Sequence, residues 1–124
     1  MSKILIVEDD PSTAELIKFT VEAKGHNTLS AADGGEAVKK VRTDAPDLIV
    51  LDIMLPTMDG FQVCQILKHN KAYQSIPIII LSAKIKKEDI DKGLEKGADE
   101  YLTKPFDPNN LLQKIESFLA KSNN

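Results

Sequence analysis

Residues 4–11 read Ile4-Leu5-Ile6-Val7-Glu8-Asp9-Asp10-Pro11, and this stretch decides the fold. Four consecutive aliphatic residues are too few for a helix and lack the alternation of a half-exposed strand. Such a run is a strand buried on both faces, which is characteristic of a parallel sheet covered by helices on either side. The run ends abruptly in three acids. Asp10-Pro11 then combines an N-cap with proline in the first turn of a following helix.

The same device recurs along the chain. Ala14, Ile17 and Val21 fall at helical spacing, and Gly25 stops that helix. Asn27 to Ala31 reads as a weaker second strand, and Asp33-Gly34-Gly35 opens a second helix with Ala37, Val38 and Val41 turned inward. Pro46 breaks it. Leu48 to Leu51 is a third strand, and Pro56 with Asp59-Gly60 leads into a helix carrying Val63, Cys64 and Leu67. Ile78 to Leu81 is a fourth strand; Ile90 and Leu94 mark a fourth helix ending at Gly97; Tyr101-Leu102 is a short fifth strand. After Asp107-Pro108, the stripe Leu111, Leu112, Ile115, Phe118 and Leu119 is the clearest helical signal. Lys121 to Asn124 reads as a frayed tail. Alternating strands and helices joined by right-handed crossovers predict one α/β domain over residues 1–124, a doubly wound (βα)5 parallel sheet.

Composition narrows the function. The chain has 124 residues, 16 basic and 19 acidic, with a net charge of −3. That balance, with Arg42 as the sole arginine, argues against direct nucleic-acid binding. The single Cys64 excludes a disulfide framework and points to a cytoplasmic setting. No apolar run approaches the roughly 20 residues of a membrane helix.

In open α/β sheets, ligands bind beyond the carboxyl ends of the strands. The first strand delivers Glu8 and Asp9 there, the third Asp52, the fourth Ser82 and the fifth Lys104. Three acids in one cleft repel unless a cation offsets them. Oxygen-only ligands suit Mg²⁺, and Lys104 adds an ammonium. An aspartate beside such charges can accept a phosphoryl group as an acyl phosphate, with Ser82 bonding one phosphoryl oxygen. No glycine-rich nucleotide cradle is present, so the donor is another phosphorylated molecule.

The segments Ile4 to Asp10, Leu51-Asp52-Ile53-Met54-Leu55-Pro56, Asp59-Gly60, Leu81-Ser82-Ala83 and Tyr101 to Phe106 together resemble the receiver domain of two-component response regulators, the CheY-like family. The resemblance implies strand order 2-1-3-4-5, with Asp52 as the phosphorylated residue. It also implies an Mg²⁺ site formed by Glu8, Asp9, Asp52 and the backbone carbonyl of Met54. Ser82 and Tyr101 would be the switch pair, and Lys104-Pro105 a cis bond. By resemblance the phosphodonor is a sensor histidine kinase or histidine phosphotransfer protein. The output is a downstream protein target met by the face of the fourth helix, fifth strand and fifth helix. The same resemblance makes the chain a switch that catalyses only its own phosphorylation and dephosphorylation. It is expected to be a monomer or a weak phosphorylation-dependent dimer, because the arginine pairs of family dimers are missing. With the chain stopping after its fifth helix, the expectation is a receiver with no output domain, either standing alone or excised from a longer regulator. Met54 and Lys84, which follow Asp52 and Ser82 by two positions, imply slow self-dephosphorylation.

Two other functions share this topology. A phosphohydrolase of the haloacid dehalogenase type needs a second Asp where Met54 stands. A flavodoxin-like binder needs a hydroxyl-rich phosphate loop where Glu8-Asp9-Asp10 would repel the ligand. Asp10 reads as a helix cap, Cys64 as core, His26 and His69 as solvent-facing, and Lys84, Lys86 and Lys87 as a solvated helix start.

Overall fold

The computed structural model describes residues 2–122. Its strands are β1 (Lys3–Val7), β2 (Asn27–Ala31), β3 (Leu48–Leu51), β4 (Ile78–Ser82) and β5 (Glu100–Thr103). The helices that alternate with them are α1 (Pro11–Glu22), α2 (Gly34–Asp44), α3 (Gly60–Lys68), α4 (Lys87–Glu95) and α5 (Pro108–Ser122). All strand pairs are parallel, in the order β2-β1-β3-β4-β5. This is the expected doubly wound sheet.

The solid aliphatic runs are explained by two cores. Leu5, Val7, Ile49, Leu51, Ile78 and Ile80 face one side, where they meet Ala37 and Val41 of α2 and Val63, Cys64 and Leu67 of α3. Their alternate neighbours Ile4, Ile6, Leu48, Val50, Ile79 and Leu81 face the other, against Ile17 and Val21 of α1 and Leu111, Ile115 and Leu119 of α5. Successive strand side chains point to opposite faces, so a strand between two helical layers needs apolar residues at every position. Burial of each such side chain contributes on the order of 2 kcal/mol. The central β1 and β3 are therefore the stiff mounts of the sheet.

Caps place the helices after the strands. The Asp10 carboxylate accepts from the Thr13 amide, Asp33 from Glu36, and Asp59 from Gln62 in a reciprocal capping box. Cys64 is core as expected, and burial pushes its thiol up to about 12. No helix among the described residues is long and apolar enough to cross a membrane.

Three details depart from the sequence reading. Lys121 and Ser122 belong to α5 rather than to a tail, and residues 123–124 lie outside the described part. His26 is not solvent-facing: its side chain is 9% exposed and its Nε2 lies 2.7 Å from Glu116 Oε1, tying the entry of β2 to α5. In α4 the periodic Leu94 is 45% exposed, and the only buried residue is Gly93.

Among the described residues, two other than glycine have left-handed backbone: Ala45 at φ 46°, capping the end of α2, and Thr57. Thr57, exposed between β3 and α3, sits at φ 64°, a left-handed conformation that a β-branched residue adopts at a cost. Thr57→Gly is expected to raise stability by about 1 kcal/mol, measured by urea unfolding. An unchanged or lower midpoint would show that the loop carries no such strain.

Candidate functional site

The polar residues at the strand ends are held by the sheet itself. Past the last residues of β1, β3 and β5 the ladder continues for one more bond. The Glu8 amide donates to the Ala31 carbonyl at 3.0 Å, Asp52 to Val7 at 3.0 Å, and Lys104 to Ser82 at 2.9 Å. Glu8, Asp52 and Lys104 are thus anchored through their main chains to the neighbouring strand. The peptide bond between Lys104 and Pro105 is cis, as expected.

These anchors bring residues far apart in sequence into one cleft. Lys104 Nζ lies 2.5 Å from Glu8 Oε1 and 3.2 Å from Asp52 Oδ2. Asp52 Oδ1 accepts from the amides of Ile53 at 2.7 Å and Met54 at 3.3 Å. Both Glu8 and Asp52 are only 6% exposed, whereas Asp9 stands exposed at the mouth. Carboxylate oxygens of Glu8, Asp9 and Asp52 all lie within 4.8 Å of one another. Among the described residues no other group of three His, Cys or acids is so placed. Asp10 is turned away to cap α1, and its bonds to Thr13 hold its carboxyl below the usual range.

Electrostatics follow from this crowding. Burial pushes the Glu8 carboxyl up, and its hydrogen bond from Lys104 only partly opposes this. For Lys104 burial works against the ammonium, but the bond to Glu8 and the field of Asp52 outweigh it and raise its pKa. One ammonium faces three carboxyl groups, so the cleft keeps an excess of negative charge. Oxygen-only donors with that excess fit a hard divalent cation, and the residues present are chemically suited to Mg²⁺.

Ser82 is fully buried at the end of β4, one strand over from Asp52. Its Oγ accepts from the Lys84 amide at 3.3 Å. The Tyr101 hydroxyl donates to the Lys84 carbonyl at 2.6 Å. Tyr101 is half-buried, and that burial pushes its phenol up, with the Ser82 hydroxyl pulling the other way. Glu8, Asp9, Asp52, Ser82 and Lys104 therefore lie at this one edge, whereas Tyr101 sits inside β5 and reaches toward it only through its hydroxyl bond to the Lys84 carbonyl. The reading missed Lys84 as the link between Ser82 and Tyr101, because its contribution is made through its main chain. It also passed over Gly93, although a glycine inside a helical pattern is itself a signal.

Comparison with known proteins gives a consistent picture. A family model described as "Response regulator receiver domain" matches residues 4–116. The alkaline phosphatase synthesis transcriptional regulatory protein PhoP of Bacillus subtilis is 44% identical over 120 residues, covering 97% of this chain and 49% of PhoP. The DNA-binding response regulator MtrA of Mycolicibacterium smegmatis is 41% identical over 120 residues, covering 97% of this chain and 51% of MtrA. The chain thus spans about half the length of these curated relatives. Among solved structures, the receiver domain of the sensor histidine kinase PA1611 from Pseudomonas aeruginosa, with magnesium coordinated in its active-site cleft, superimposes with a TM-score of 0.89. It is 28% identical, with 96% of this chain and 98% of that one covered.

These relatives correct one expectation. The charge balance excluded a direct nucleic-acid partner, yet MtrA is a DNA-binding regulator and PhoP a transcriptional one. The charge argument described only the surface of these 124 residues, and the relatives are about twice as long. An acidic segment of this kind is compatible with a DNA-binding protein.

Proposed function

Because the chain belongs to the response regulator receiver domain family, we propose that it is the phosphoryl-accepting switch of a two-component system, with Asp52 as the acceptor. The observation that carries this reading is the Lys104 ammonium bridging Glu8 and Asp52, side chains 96 and 52 positions away in sequence. Glu8, Asp9, Asp52 and the Met54 carbonyl would hold Mg²⁺, in keeping with the magnesium in the PA1611 receiver. When bound, the cation supplies charge neutralisation for the incoming phosphoryl group.

The chain's own residues perform the rest. The two amides on Asp52 Oδ1 fix the carboxylate so that it meets the donor in line. An Asp52 oxygen forms a bond to phosphorus as the phosphorus–nitrogen bond of the donor's phosphohistidine breaks, and the imidazole leaves with that electron pair. Lys104 shifts part of its charge to the phosphoryl oxygens, and Ser82 donates to one of them. In DNA-binding relatives of about twice this length, the same event would reach DNA through the rest of the protein. The signal would leave through the face of α4, β5 and α5.

Incubation with Mg²⁺ and a small acyl phosphate should add one phosphoryl group, detected by mass. The gain should vanish with EDTA and in Asp52→Asn. Full labelling of that variant would overturn the assignment of the acceptor.

The lifetime of the product follows from what flanks it. Met54, whose amide bonds Asp52 Oδ1, is 57% exposed, and Lys84, whose amide bonds Ser82 Oγ, is exposed. Both restrict the line along which water reaches phosphorus, so the phosphoryl group is expected to persist for minutes or longer. Met54→Ala should shorten that lifetime several-fold. Loss within seconds from the unaltered protein would contradict the steric argument.

A further inference from the structure

Glycine is unfavourable inside a helix, yet Gly93 occupies the one buried position of α4. A Cβ built there would lie 2.9 Å from Ile80 Cδ1 and 3.0 and 3.2 Å from Cδ2 and Cε2 of Tyr101. The aromatic ring therefore rests directly on the helix backbone. The same ring carries the hydroxyl that bonds the Lys84 carbonyl, while the Lys84 amide bonds the Ser82 hydroxyl. One residue's main chain thus joins the buried hydroxyl of the cleft to the ring, and the ring joins both to α4.

We propose that Gly93 is a positioning residue for the switch: its bare backbone is the seat of Tyr101, and it links Ser82, Lys84, Tyr101 and α4 into one unit. The inference rests on the roles proposed above for Ser82 and Tyr101. A methyl group at 93 must displace one of two neighbours. Ile80 is 0% exposed and enclosed on all sides, whereas Tyr101 is half-buried with solvent on its outer edge. The ring is the part that gives. Once displaced, it loses its bond to Lys84, and α4 no longer follows the state of Ser82.

The absence of tryptophan and the presence of only two tyrosines allow a direct test. In a Tyr73→Phe background Tyr101 is the sole fluorophore of its kind, and acrylamide quenching reports its exposure. Gly93→Ala should increase that quenching and lower the melting temperature. In a Tyr101→Ala background the same substitution should lower the melting temperature markedly less, because both ring contacts are gone, only the Ile80 Cδ1 contact remains, and alanine favours the helix. Equal losses of melting temperature in both backgrounds, with unchanged quenching, would overturn the proposal. Beryllofluoride with Mg²⁺ should alter Tyr101 quenching when Gly93 is present and not in Gly93→Ala, and an identical response in both would also overturn it. Phosphoryl acceptance should survive Gly93→Ala. The melting comparison needs no phosphorylation, so failure of the seat is distinguishable from failure of the phosphoacceptor reading.

Discussion

Lys104→Met is expected to destabilise the magnesium-free protein by about 3 kcal/mol and to slow phosphoryl acceptance by about 100-fold or more. The two effects have one origin. Glu8 and Asp52 are buried, and Lys104 is the ammonium that both of them contact. Removing it leaves buried carboxylates facing each other without compensation, which costs far more than an exposed ion pair contributes. The sign of the pH dependence follows from the raised pKa of Lys104. A group held protonated more firmly in the folded state contributes its full stability below its unfolded pKa, about 10.4 for lysine, and loses it as the pH rises further. The deficit of the variant should therefore be complete at neutral pH and shrink only in strong alkali. Urea unfolding at neutral pH and initial rates with a small acyl phosphate measure the two quantities. A variant as stable and as reactive as the parent would show that the Lys104 contacts are incidental.

Gly60→Ala is expected to cost roughly 3 kcal/mol and to impair phosphoryl acceptance although residue 60 has no side chain to react. Gly60 opens α3 directly beneath the loop that follows Asp52, and its amide donates to the Ile53 carbonyl at 2.9 Å. A Cβ there would lie 2.4 Å from the Asp52 carbonyl oxygen and 2.7 Å from Ile53 Cα. Both neighbours are backbone, and the β3 residues leading to them are held in the stiff centre of the sheet. No rotamer change relieves the contact. Either α3 retreats or the Asp52 peptide moves, and the second outcome tilts the carboxylate away from Lys104. Retention of both stability and labelling rate in Gly60→Ala would contradict this account of the loop.

The parts of the molecule legible in the sequence are those whose cause is local. Ile4 to Val7, Leu48 to Leu51 and Ile78 to Leu81 announce themselves because a two-sided strand needs apolar residues throughout. Glu8, Asp52 and Lys104 are legible for a related reason, since each interrupts an ordered strand at its carboxyl end. Asp10, Asp33 and Asp59 are caps that chemistry alone identifies. What escaped depends on partners distant in sequence. His26 looks like a surface residue until α5 brings Glu116 to it. Ile90 and Leu94 have the spacing of a buried stripe, but Tyr101 takes the space against α4, and the helix turns Gly93 inward instead. The charge argument failed in another way: it weighed 124 residues only, about half the length of the DNA-binding relative MtrA.

The most direct measurement is to trap the acyl phosphate where it forms. Protein labelled with a small acyl phosphate and Mg²⁺ is reduced with borohydride, which converts a phosphorylated aspartate to homoserine, and the peptides are sequenced by mass spectrometry. Homoserine at position 52 alone is the predicted result. Homoserine at position 9, the corresponding reduced side chain at Glu8, or a labelled protein with Asp52 intact would contradict it.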